Sequence, residues 1–364
     1  MITATNFFKL TFPELREFFT NMGEKTYRAT QLMKWVYHHG VIDVTRMTDV
    51  SKSLRDKLVD LLSFDLPVIE SEKISNDGTR KWLLRVDERN CIEMVFIPEI
   101  DRGTLCVSSQ VGCALNCTFC STGKQGFSRN LDTHEIIGQV WLAARQLDHF
   151  NKDKRVISNV VMMGMGEPLL NFDNVVKAMD LMKDDLGFNL STKRVTLSTA
   201  GVVPAIDKLA AATRVSLAVS LHAPNNELRD ILVPINRSYP ISELIAACRR
   251  YSVTNNNDPI TFEYVMLENV NDSEKEARQL AGLLRGFPAK INLIPFNPFP
   301  DSGYTCSKKK DIDSFREILM NSGLITITRK TRGDDIDAAC GQLVGQVVAR
   351  AKRLQKSGPA AIRT

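Results

Sequence analysis

No apolar run in this 364-residue chain approaches the roughly 20 residues that would span a bilayer. The opening MITATNFFKL lacks the basic start and apolar stretch of a secretory leader. A cytoplasmic protein with no membrane partner is therefore expected. Internal repeats are absent, and no strong excess of charge exists: 47 Lys and Arg against 42 Asp and Glu leave +5. That balance permits a polyanionic partner without requiring one. Hydrophobic content of 43% and charged content of 24% are ordinary for a globular chain. The length suffices for one large domain and a small one.

Eight cysteines, an even number, invite a disulfide framework. A reducing compartment argues against one, and cysteines crowded into one stretch point to metal or redox chemistry. That stretch is VSSQVGCALNCTFCSTGKQGF, where Cys113, Cys117 and Cys120 stand in a CxxxCxxC pattern just past an expected strand. A structural zinc site would need a fourth ligand such as Cys106, yet no second close pair and no nearby histidine accompany the triplet. Three soft thiolates suit a [4Fe–4S] cluster with one iron left open. An open iron can chelate the amino and carboxylate groups of S-adenosylmethionine, and one electron then splits the sulfonium to a 5′-deoxyadenosyl radical. Phe119, between the last two cysteines, is placed to shield cluster or adenine.

Four regions follow from patterning. Residues 1–70 read as a small helical accessory domain. In EKTYRATQLMKWVYHHG the apolar Tyr27, Leu32, Trp35 and Val36 share a helical face before Gly40, and Ser51 caps a second amphipathic run. Lys25, Arg28, Lys34, Lys52, Arg55 and Lys57 read either as a phosphate grip or as a solvated face. Residues 71–103 form a linker and a β-hairpin extension, TRKWLLRV-DERN-CIEMVFIP. There Glu93 interrupts an apolar strand and faces either water or a site. From 104 to 345, strands expected at 104–110, 156–164, 194–199, 214–222, 260–267, 291–296 and 324–330 alternate with helices. This is an α/β pattern, a partial (β/α)6-type barrel, with its chemistry at the C-terminal ends of the strands. Residues 346–364 read as a basic tail.

Those strand ends carry a constellation. GMGEP supplies Gly166, for close backbone approach, and Glu167, a candidate acceptor for a cofactor ammonium. It is not a phosphate loop, since no Gly-Lys-Ser/Thr follows. Ser198 ends the third strand, Ser220, Leu221 and His222 end the fourth, and Asn297 follows the sixth. Each alone is an ordinary turn residue; together on one barrel face they outline a pocket. Cys340, among Ala338, Ala339 and Gly341 in RGDDIDAACGQL, reads as a small buried hydrophobe or an approachable thiol.

CxxxCxxC, MMGMGEP, RVTLSTAG, SLHAP, PFNPFP and RGDDIDAACGQL occur in the order that marks a family. Over essentially its whole length the chain resembles the RlmN-type radical S-adenosylmethionine RNA methyltransferases. The loop DSGYTCSKKK, with Cys306, does not align to the pattern. The resemblance implies methylation of adenosine carbon 2 in 23S rRNA and in tRNA beside the anticodon, with two S-adenosylmethionine molecules per turnover. Carbon 2 is electron-poor and will not attack a sulfonium methyl, whereas a carbon radical adds to it. Further implied roles are Cys340 as methyl carrier, Glu93 as base for the ring proton, and Cys106 as the thiolate that forms a transient disulfide with Cys340. A monomer reduced by a flavodoxin or ferredoxin is expected. The rivals are a Cfr-type carbon-8 methyltransferase and a zinc-stabilised RNA-binding protein without catalysis.

Overall fold

A computed structural model describes residues 4–345 apart from 101, 152, 153 and 155; the basic tail expected at 346–364 lies outside the described residues. Ten strands build one sheet. The first five are β1 (Val68–Ile74), β2 (Arg80–Arg85), β3 (Cys91–Pro98), β4 (Gly103–Cys106) and β5 (Asn159–Met162). The others are β6 (Val195–Thr199), β7 (Ser216–Ser220), β8 (Ile260–Met266), β9 (Ala289–Pro295) and β10 (Ile325–Thr328). Neighbours in the sheet are neighbours in the chain, from β1 at one edge to β10 at the other.

Connection length decides strand direction. Short turns join β1 to β4, and these pair antiparallel; at 75–79 the Ser75 N–H reaches the Thr79 carbonyl at 2.8 Å. From β4 to β10 every pair is parallel. Each crossover carries helix, the main ones being Thr133–Gln146, Phe172–Lys183, Val203–Ala212, Ile241–Thr254, Glu274–Leu283 and Lys309–Asn321. The first starts on a capping box between Asp132 and Glu135. Thr104, Asn159, Thr196, Ala218, Thr261 and Asn292, from six successive strands, line a single cavity. The sheet is therefore curled into an open barrel, the α/β architecture expected.

All seven expected parallel strands are present, most of them shorter than the apolar runs suggested, because the polar ends of those runs are turns. The hairpin is β2 and β3. Strand β1 was not foreseen: VIESEKI is charged and mostly exposed, as an edge strand can be.

The N-terminal segment holds helices Phe12–Asn21, Tyr27–Met33 and Lys52–Leu61. Leu32 and Val36 are buried as expected, but Tyr27 is exposed, with the Arg28 guanidinium 4.8 Å from its ring centre. Ser51 stands at the cap of the third helix without a side-chain capping bond. Phe7, Phe8, Leu15, Phe19 and Met33 are fully buried in the apolar cluster that also fills the barrel. Each such side chain contributes ~2 kcal/mol on leaving water. Two contacts fasten the segment to the first barrel helix: Phe8 meets Trp141 edge-on at 6.0 Å, and the Trp141 indole N–H donates to the Val36 carbonyl at 3.0 Å.

Candidate active site

Two connected chambers occupy the barrel. The wide one, about 760 Å³, runs through the lumen, with Arg102, Lys193, Arg194, Lys330 and Arg332 in its wall. The narrow one, about 170 Å³, lies at the C-terminal strand ends and takes in Cys113, Cys117, Cys120, Gly166, Glu167, Ser198, Ser220 and His222. Met163, Glu263, Ile294, Pro295, Arg329 and Cys340 line both. Most of the residues picked from sequence are thus brought together.

The three cysteines sit in the loop between the short antiparallel strands Gln110–Gly112 and Phe127–Asn130. The Cys113 N–H donates to the Gly126 carbonyl at 2.9 Å, which pins the start of the loop. Burial pushes the Cys113 thiol up to about 12 and the Cys117 thiol well above its ordinary range, with the neighbouring sulfurs adding to the effect. Buried thiolates therefore need a compensating cation. Among the described residues no three such ligands gather as tightly as a single metal ion requires. Three soft thiolates on one loop are the donor set that suits a [4Fe–4S] cluster with one iron left open. Phe119 packs edge-on to His222 with ring centres 4.5 Å apart.

The turns after β5, β6 and β7 are tied to one another. Gly166 has φ of +99°, and a Cβ there would lie 2.5 Å from Gln110, so only glycine fits. Glu167 accepts from the Leu169 N–H at 3.1 Å and the Ala200 N–H at 2.7 Å, joining the GMGEP turn to the STAG turn. Burial raises its carboxyl to about 7 against the pull of those donors. His222 also takes a positive φ of 59°. Its Nδ1 accepts from the Val265 N–H at 3.0 Å, so the ring proton sits on Nε2. Burial lowers its pKa to about 3, keeping it neutral. Leu221 differs from its neighbours: its side chain is buried in the core and lines neither chamber.

Cys340 is exposed at the junction of the chambers, and its segment is strapped down on three sides. Asn297 donates to the Cys340 carbonyl at 3.3 Å, Ser121 N–H to the Gly341 carbonyl at 2.8 Å, and Thr122 Oγ1 to the Leu343 carbonyl at 2.6 Å. The Arg329 guanidinium is 3.8 Å from the Cys340 sulfur. Half-buried Cys106, on the same face of β4 as Thr104, lies within electrostatic reach of both Cys340 and Arg329. Burial lifts the Cys106 thiol to about 12, and Arg329 opposes that rise. Glu93 lines neither chamber. Its buried carboxylate is held by Lys81 at 3.1 Å and by the Val344 N–H at 2.9 Å, behind the Cys340 segment.

Sequence reasoning passed over three residues. Glu263 and Arg329 both line the junction. Fully buried Arg229 donates to the carbonyls of Ala200, Ser220 and Leu221, behind the strand ends. A charge inside the apolar run ITFEYVML was the available signal for Glu263. The unaligned loop 301–310 is anchored to the cysteine loop by Tyr304, whose hydroxyl is 2.9 Å from that of Thr118.

An open parallel barrel with three half-buried cysteines beside a glycine turn defines a radical S-adenosylmethionine enzyme, and the Radical SAM superfamily matches residues 107–281. Residues 5–63 match the family described as ribosomal RNA large subunit methyltransferase N-terminal domain. The dual-specificity RNA methyltransferase RlmN of Alcanivorax borkumensis is 55% identical over 354 residues, 96% of this chain and 93% of that protein. The protein of the same name from Xylella fastidiosa is 56% identical over 360 residues, 96% of this chain and 89% of that one. The crystal structure of a radical SAM methyltransferase from Sphaerobacter thermophilus superposes with a TM-score of 0.87 at 43% identity, covering 93% of this chain and 99% of that chain. The chain belongs to the RlmN family of RNA methyltransferases, enzymes that use a [4Fe–4S] cluster and S-adenosylmethionine.

Proposed function

We infer that the protein methylates carbon 2 of adenosine in 23S rRNA and in tRNA next to the anticodon, with Cys340 as the methyl carrier. The observation that carries this reading is Cys340 at the boundary of the two chambers, between the cluster cysteines and the basic lumen. Cys113, Cys117 and Cys120 hold the cluster. Gly166, Glu167, Ser198, Ser220, Leu221, His222 and Asn297 frame S-adenosylmethionine, Leu221 through its backbone. RNA approaches through the wide chamber, where Lys193, Arg194, Lys330 and Arg332 meet phosphates. On the N-terminal helices Lys25, Lys34, Lys52 and Lys57 are exposed and extend that grip. Arg28 and Arg55 are half-buried and already donate to local carbonyls.

In this reading the Cys340 thiolate would take a methyl group from one S-adenosylmethionine, with S-adenosylhomocysteine as the leaving group. The cluster and a second S-adenosylmethionine supply, when bound, the radical that removes a hydrogen atom from that methyl group. The resulting methylene radical on Cys340 adds to carbon 2. The adduct would give up one electron, which the bound cluster could take back in place of the one spent on cleaving S-adenosylmethionine, and the ring proton, which Glu93 takes once the Cys340 segment swings off it. Cys106 thiolate then attacks the Cys340 sulfur. The carbon–sulfur bond breaks with its electron pair going to the methylene carbon, which gains a proton and becomes the product methyl. A two-electron dithiol reductant restores both cysteines. Arg329 lowers the cost of a thiolate at Cys106.

A flavodoxin or ferredoxin as electron donor, a monomeric state and a cytoplasmic location complete the proposal. One chain carries all the named side chains, and its carrier thiols need a reducing compartment. The decisive experiment is Cys106→Ala: the adduct forms but cannot resolve, so an RNA–protein crosslink should accumulate on denaturing gels. Cys340→Ala should give neither crosslink nor product. Methylation of RNA by Cys340→Ala would refute the carrier role, and 8-methyladenosine as the product would refute carbon 2.

A further inference from the structure

At the junction where the carrier thiol faces the lumen, only three of the side chains that line both chambers are polar among the described residues: Cys340, Arg329 and Glu263. Arg329 attends the sulfurs. Glu263 has no assigned work. It sits in mid-β8, is 4% exposed, and accepts from the Asn292 side-chain amide at 2.9 Å through Oε1. Its Oε2 is buried with no partner. A buried carboxyl oxygen without a partner costs stability, and natural proteins rarely leave one so. A residue kept at that cost on a ligand-binding junction is a residue waiting for a ligand atom.

We propose that Glu263 reads the target adenine, its Oε2–H donating a hydrogen bond to the ring nitrogen on one side of carbon 2. The inference rests on the carbon-2 reading above. Oε1 is already committed as an acceptor to Asn292, which leaves Oε2 as the oxygen to carry a proton. Burial raises the Glu263 carboxyl above the usual carboxylate range, which favours that protonated form although Arg329 opposes it. A donor at the ring nitrogen withdraws electron density from carbon 2. A sulfur-substituted methylene radical is electron-rich and adds faster to a carbon so depleted. One group thus both recognises the base and activates the atom attacked.

The test uses the reconstituted full-length enzyme and synthetic RNA hairpins carrying adenosine, 1-deazaadenosine or 3-deazaadenosine at the target position. Wild type should bind adenosine RNA about tenfold more tightly than one of the two deaza analogues, equivalent to ~1.4 kcal/mol. Glu263→Leu should lose that discrimination while binding S-adenosylmethionine with unchanged affinity. Glu263→Gln keeps a donor and the Asn292 contact, and should retain most of it. Discrimination that survives in Glu263→Leu would overturn the proposal. So would a tenfold loss of S-adenosylmethionine affinity, which would make Glu263 a cofactor residue. Mass analysis of the wild-type product nucleoside tests the carbon-2 reading independently, so the two failures are distinguishable.

Discussion

Replacing Arg229 by methionine tests what holds the cofactor frame together. The guanidinium is fully buried, and among the described residues it forms no ion pair with a carboxylate. Instead it donates to the carbonyls of Ala200 at 2.7 Å, Ser220 at 3.1 Å and Leu221 at 3.1 Å, and to the Asn236 side chain at 3.0 Å. Ala200 follows β6 and Ser220 ends β7, so one side chain clamps the two strand ends that carry Ser198 and His222. Methionine fills similar volume but leaves those acceptors short of a donor, at about 1–3 kcal/mol each. Part of that loss is returned because a buried charge no longer has to be desolvated. Leu221 also keeps its bond from the Ala223 N–H. The net expectation is a loss of ~3 kcal/mol, a large share of the 5–15 kcal/mol typical of whole domains. Urea unfolding of the metal-free protein, followed by circular dichroism, should show the midpoint falling by about 1 M at a slope of ~3 kcal/mol/M. Arg229→Lys keeps the charge but reaches fewer carbonyls, so it should fall in between. A midpoint unchanged in Arg229→Met would refute the clamp.

Two further outcomes are expected. Burial raises the Glu167 carboxyl from its ordinary 4.5 to about 7, so at ~1.4 kcal/mol per pH unit its ionisation costs the native state about 3 kcal/mol. Between pH 4.5 and 7 the native state holds this proton more tightly than the unfolded chain, so wild-type stability should decline relative to Glu167→Gln as pH rises through that window. Parallel stability curves for the two proteins would contradict the assignment. Separately, Lys25→Glu with Lys34→Glu should weaken RNA binding several-fold and flatten its salt dependence. Reductive cleavage of S-adenosylmethionine without RNA should be unaffected.

Much of the fold was legible because periodicity is a local property. Near-continuous apolar runs separated by helices could only be a parallel sheet with both faces covered, and the structure has seven such strands. The edges were less legible. VIESEKI buries little of its surface, so its pairing in β1 is owed to the β2 backbone and not to any pattern of its own. The same division runs through the site. Cys113, Cys117 and Cys120 announce themselves by spacing, and Gly166 by its turn, because chemistry and conformation there depend on near neighbours. Glu93 and Glu263 carry the same mark, one acid inside an apolar strand, yet their surroundings differ completely. Glu93 is matched by Lys81 from the adjacent strand and by a backbone N–H 251 residues away. Glu263 keeps one oxygen bare at the junction of two chambers. Nothing local distinguishes them, since partners are set by which strands the crossovers bring together. A lone charge in a buried strand therefore marks a position that needs an answer, and only the assembled barrel shows whether the protein itself supplies it or leaves it for a substrate.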